Sequence, residues 1–103
     1  NQAKEGAETA IAFFISLVSA LLERPTDPTS VVAGEMSVQG MLHRVASLPE
    51  RLERAREAGA KRVLIPSENK RDLADVPDEI LNRLQPIFYT DPINAAIRAM
   101  ELE

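Results

Sequence analysis

The chain of 103 residues contains no cysteine and no tryptophan. Without thiols there is neither a disulfide framework nor a thiolate site, and such usage suits a reducing cytoplasm, where the protein is expected. A single histidine, His43, leaves little for metal binding. The four glycines are scattered at positions 6, 34, 40 and 59, whereas a phosphate-cradling loop needs them clustered ahead of a helix. No nucleotide or other cofactor is therefore expected on this chain. Long hydrophobic runs are also missing. The longest, AIAFFISLVSALL from Ala10 to Leu22, has 13 residues and two serines, short of the roughly 20 that cross a bilayer. No basic stretch precedes it and no small-residue cleavage site follows, so neither a membrane partner nor a signal peptide is expected.

What is present is the material of one domain. With 45% hydrophobic residues, a chain of this size buries roughly two thirds of its unfolded surface around one core. The first residue is Asn1 and the first element begins almost at once, so residues 1–103 are expected to be a single domain cut from a longer protein. The net charge of −4 argues against a general nucleic-acid coat, yet the charge is unevenly placed. Seven of the twelve Lys and Arg fall between positions 51 and 71 against three acids, which makes that segment +4 and the rest −8. Either a solvated helix face laced with ion pairs or a basic surface for a partner fits that pattern.

Periodicity outlines the elements. Ile11, Phe14, Val18, Leu21 and Leu22 recur at helical spacing, with Phe13, Ile15 and Leu17 on the flanks, so a helix from about Ala7 to Glu23 should be central. RPTDPTS then stops it. Residues 31–45 carry β-branched residues and two glycines and read as a bent or paired strand segment. SLPERLERAREAGA reads as a helix, with Ser47 as N-cap, Pro49 in the first turn, Glu50 closing a capping box and Gly59 as C-cap. Arg51 projects from the edge of its apolar stripe of Leu48, Leu52 and Ala55. RVLIP is a short buried strand; residues 67–84 read as a short helix, a break and a second short helix; PIFYTD is another strand; and Asp91 caps a last helix opened by Pro92. The fold class is thus α+β, a small mixed sheet with packed helices in the order α-β-β-α-β-α-β-α, with the later strands paired in parallel.

Few residue constellations carry chemistry. Asp72, Asp75, Asp78 and Glu79 are close in sequence, but helix starts also favour acids there, and no metal site is expected. His43 could serve Ser47 as a base, but no orienting third group accompanies it and a structural role fits better. Ser16 and Ser19 lie inside the apolar helix, where hydroxyls bond back to the preceding turn.

Several segments taken together resemble the C-terminal half of the proteolytic domain of Lon proteases. KEGAETAIAFFISLVSALLERP resembles the nucleophile loop and the helix after it, VVAGEMSVQG the Gly-Glu-strand-Gly segment, and RVLIPSENKRDLADVP matches nearly residue for residue. Order and spacing agree over essentially the whole chain. In that family a serine attacks the peptide carbonyl and a lysine takes its proton. The resemblance places the serine position at Glu8 and the lysine position at Arg51. A guanidinium keeps its proton in proteins, and a carboxylate in a first helical turn is a poor acyl-transfer nucleophile. No intact catalytic pair is expected; Glu8 and Arg51 either form a salt bridge in the old site or stand apart, as a first-turn acid and a solvated helix arginine. Thr9 is turned away from it and has no matching base.

Such a degenerate domain is similar to the Lon-like component of bacterial BREX phage-defence systems. The resemblance implies an upstream AAA+ module using ATP and magnesium, assembly of the parent into a homo-oligomeric ring, and engagement of DNA. The resulting expectation is a pseudoprotease domain for assembly or partner contact. An active ATP-dependent serine-type endopeptidase is the alternative, and a small-molecule sensor in the old cleft a third.

Overall fold

Three parallel strands form the middle layer of the computed structural model, which describes residues 2–37 and 39–101, with side chains from residue 10 onward in those spans. They are β1 (Ser30–Val32), β4 (Arg62–Pro66) and β5 (Gln85–Tyr89), ordered β1-β4-β5. Val31 pairs with Val63, and Leu64 with Ile87. In β4 the residues from Val63 to Pro66 are all buried, as a strand covered on both faces requires. Between β1 and β4 lies a separate antiparallel hairpin of β2 (Glu35–Met36) and β3 (Leu42–His43).

Helices cover both faces. On one, α2 (Leu48–Glu57) and α3 (Asp78–Leu81) bury Leu48, Leu52, Ala55 and Ile80 against Val63 and Ile65. On the other, α1 (Gln2–Leu22) and α4 (Pro92–Ala99) bury Ile11, Ile15, Ala95, Ala96 and Ala99 against Leu64, Ile87 and Tyr89. The small side chains of α4 let it approach the sheet closely. A 3-10 segment, Ser67–Asp75, leads from β4 to α3, with Pro77 at the break expected there.

The α+β architecture with helices on a small sheet is as expected, and its parallel and antiparallel pairings occupy two sheets. The segment 31–45 divides into the end of β1 and both hairpin strands because the chain turns at Gly34 and Gly40. Three expectations are corrected. The first helix is not central: among its described side chains only Ile11 and Ile15 are fully inside, while Phe13, Leu17, Leu21 and Leu22 are exposed. Its apolar residues lie on most sides, and periodicity alone does not say which side finds a partner. Ser47 does not cap α2 with its hydroxyl, because it adopts a left-handed conformation (φ 57°) and only its carbonyl accepts the Arg51 amide. The helix also begins before the position of Glu8, which lies in α1 beyond the first turn, so the expected N-terminal dipole does not reach it.

Other caps are as read. Gly59 (φ 94°) ends α2 with amide bonds from Gly59 to Arg56 and from Ala60 to Ala55, a Schellman closure. Asp91 accepts the Asn94 amide at 2.8 Å at the start of α4. No described helix is long and apolar enough to cross a membrane.

Candidate functional site

Beyond the carboxyl end of β1 the chain runs through the hairpin to α2, the helix that carries Arg51. At that end of β1 the Ala33 amide donates to the Leu64 carbonyl at 2.8 Å and extends the ladder by one rung before the chain turns into the hairpin. The turn is made over Tyr89, whose buried hydroxyl donates to the Ala33 carbonyl at 2.5 Å. A Cβ on Gly34 would lie 2.0 Å from the Tyr89 oxygen, so only glycine passes. Burial pushes the Tyr89 phenol well above its ordinary pKa, which keeps it a proton donor to that carbonyl.

Beyond the turn, Glu35 stands at the first position of β2 opposite His43. Its carboxylate faces Arg51, the residue at the expected lysine position, at 3.8 Å from the guanidinium. The Arg51 Nε donates to the Ala46 carbonyl at 2.8 Å. Both side chains are largely buried, 14% exposed for Arg51 and 22% for Glu35. This arrangement holds a fixed positive charge and does not abstract protons. The Glu8 side chain lies outside the described residues, as does that of Thr9, and with them the expected Glu8–Arg51 bridge.

The loop ahead of α2 is held from the opposite side. Asn69, fully buried, accepts the Val45 amide at 3.0 Å and donates to the Val45 carbonyl at 2.9 Å. Its amide nitrogen also donates to Asp72 at 2.8 Å. Asp72 in turn receives both arms of Arg44, at 3.0 and 2.7 Å, and these bonds hold its carboxyl below the usual range. Asn69 and Asp72 belong to the segment SENKRDLADVP, whose role is thus to fix the chain that delivers Arg51. Neither sequence spacing nor composition marks Glu35 as the partner of Arg51. Only the tertiary turn at Gly34 brings them together.

His43 is exposed and lines a cleft of about 220 Å³ with Ser67, Glu68 and Thr90; Ser47 is not part of it. Among the described residues no three His, Asp or Glu converge as a metal site would require. Much of the basic segment is engaged within the chain. Arg56 pairs with Glu53, Arg62 with Asp27 and Glu101, and Lys70 sits 5.1 Å from the Phe88 ring centre. Arg54, Lys61 and Arg71 are exposed. A groove of about 680 Å³ runs between α1, the hairpin and α4, lined by Phe14, Met36, Gly40, Ile93 and Ile97 among others.

Comparison with known proteins bears on this geometry. The family model described as the Lon protease (S16) C-terminal proteolytic domain matches residues 1–100. The chain is 38% identical over 92 residues to the Lon-like protease BrxL of Escherichia coli O9:H4 (strain HS), covering 89% of this chain and 13% of that protein. It is 34% identical over 82 residues to a Lon protease of Methanosarcina barkeri, covering 80% of this chain and 10% of that protein. To a mitochondrial Lon protease homolog of Aspergillus fumigatus it is 35% identical over 82 residues, 80% of this chain and 7% of that protein. The chain thus spans only about a tenth of the length of these relatives.

Proposed function

The chain belongs to the family of Lon protease C-terminal proteolytic domains, and from that premise we propose that it is a pseudoprotease domain, the C-terminal part of a longer ATP-dependent Lon-type protein. The observation that carries this reading is the state of Arg51. At the position where the family resemblance puts the proton-accepting lysine stands a guanidinium bonded to the Ala46 carbonyl and facing Glu35. The nucleophile position, Glu8, supplies no hydroxyl. Acyl transfer by a Ser-Lys pair then has neither its nucleophile nor its base.

What remains is a scaffold for assembly and partner contact. The proposal includes a phage-defence setting in the cytoplasm, with ATP and magnesium held by an upstream module and the parent assembled as a homo-oligomeric ring; these parts rest on the resemblance to the BREX-type Lon-like component, with which the similarity to BrxL agrees. For DNA, the exposed cations Arg54, Lys61 and Arg71 are the residues available on the basic segment. Reversing all three charges should weaken DNA retention by the parent at physiological salt, and unchanged retention in a filter-binding titration removes DNA from the reading.

The names of the relatives favour one competing reading, an active ATP-dependent serine-type endopeptidase. ATP-dependent degradation of an unfolded protein separates the two, measured for the full-length parent beside a Glu8→Ser/Arg51→Lys variant. An inert parent is expected, unlabelled by a serine-directed acylating probe. Degradation by the parent overturns the pseudoprotease.

A further inference from the structure

The geometry points to Arg51 as a clasp that fastens the hairpin β2–β3 to the head of α2 and thereby sets the width of the apolar groove beside α1. The hairpin has two residue pairs, Glu35 with His43 and Met36 with Leu42. A two-stranded ribbon of that size does not hold its position alone in water. Its turn is closed by the Ser37 amide to the Met41 carbonyl at 2.9 Å and by the Met41 amide to the Ser37 hydroxyl at 3.2 Å.

Arg51 reaches both halves of the junction. One arm of its planar fork bonds the Ala46 carbonyl, in the loop that Asn69 pins through Val45. Another faces Glu35 on the hairpin. One end of the clasp is therefore anchored in the rigid layer and the other grips a light element. A lysine ammonium is a point charge and does not span the two acceptors in the same way.

The hairpin is also a wall. Met36 and Gly40 line the groove of about 680 Å³, and with Ser37 they line a second one of about 270 Å³ that includes Phe13, Phe14 and Leu17. Movement of the hairpin changes both at once. This inference does not depend on whether peptide bonds are cleaved, and its test uses neither ATP nor substrate.

The test is amide hydrogen exchange by NMR on the full chain and on Glu35→Gln, Arg51→Met, Arg51→Lys and the Glu35→Gln/Arg51→Met pair. Exchange at Ser37 and Met41 reports the hairpin, and exchange at Ala33, bonded to Leu64, reports the sheet. Each single substitution should speed hairpin exchange about two- to fivefold while Ala33 keeps its rate. Glu35→Gln should add nothing to Arg51→Met, and Arg51→Lys should recover less than half of the loss. Unchanged hairpin rates, additive effects, full recovery by lysine or an equal rise at Ala33 would each overturn the clasp. Should Arg51→Met fail to fold, Glu35→Gln and Arg51→Lys still decide it.

Discussion

Asn69 is fully buried, and its carboxamide closes both hydrogen bonds of Val45 as a neighbouring strand would. Replacing it with alanine leaves a buried amide and a buried carbonyl without partners. Asn69→Ala should therefore lower stability by about 1–3 kcal/mol in a denaturant titration. A loss below about 0.5 kcal/mol would mean that water replaces the side chain freely. At this scale the sequence was readable where spacing alone decides position. Arg51 at the edge of the α2 stripe follows from helical periodicity, and so does the Asp91 cap. Glu35 as the partner of Arg51 does not, because the two are joined by a turn whose shape depends on Tyr89, far along the chain.

Among the elements, α1 separates pattern from packing most clearly. Its apolar residues fill most of the helix surface, yet the inner seam is Ile11 and Ile15, with the exposed row Phe13, Leu17 and Leu21 on another side. Ile15→Ala should cost about 2–5 kcal/mol, as the loss of a core side chain does. Leu21→Gln, at a residue 82% exposed, should stay within about 0.5 kcal/mol. Thermal melts of the two variants check the difference, and equal losses would place α1 in the centre after all. The β4 and β5 strands were legible because short apolar runs between turn formers have few alternatives. Ser47 was not, since a backbone in the left-handed region removes a hydroxyl from the amides it could cap, and no local pattern announces that conformation.

Over the whole molecule, acid sensitivity should come from carboxylates that tie distant segments together. The hydroxyl and amide of Thr29, followed by Arg62 on β4, hold the Asp27 carboxyl below its ordinary range. Asp72 is held down chiefly by Arg44. A depressed carboxylate contributes its full stabilisation above the unfolded value of 3.8 and loses it as pH falls through the lower folded value. Melting temperature should therefore be flat between about pH 5 and 7 and fall below about pH 4. Asp72→Asn should flatten that acid limb, and an unchanged limb would remove Asp72 from the account. The family was legible through the resemblance of several segments taken together, and the plan of helices packed on a small sheet through the order of the elements. The division into two sheets was not, because strand partners are chosen in three dimensions.

The parallel ladder links segments that are far apart in sequence, Ser30 with Arg62 and Arg62 with Gln85. On the ribosome, β1 emerges before β4, its partner within these residues, and α1 leaves the exit tunnel before the Ala95 and Ala96 surface that will cover Ile11 and Ile15. At about 5–20 residues per second, that apolar helix waits roughly four to seventeen seconds for its cover. Folding is then gated by translation of α4, and a pause between β5 and α4 would lengthen the interval in which a nascent chain offers its stickiest helix to every neighbour.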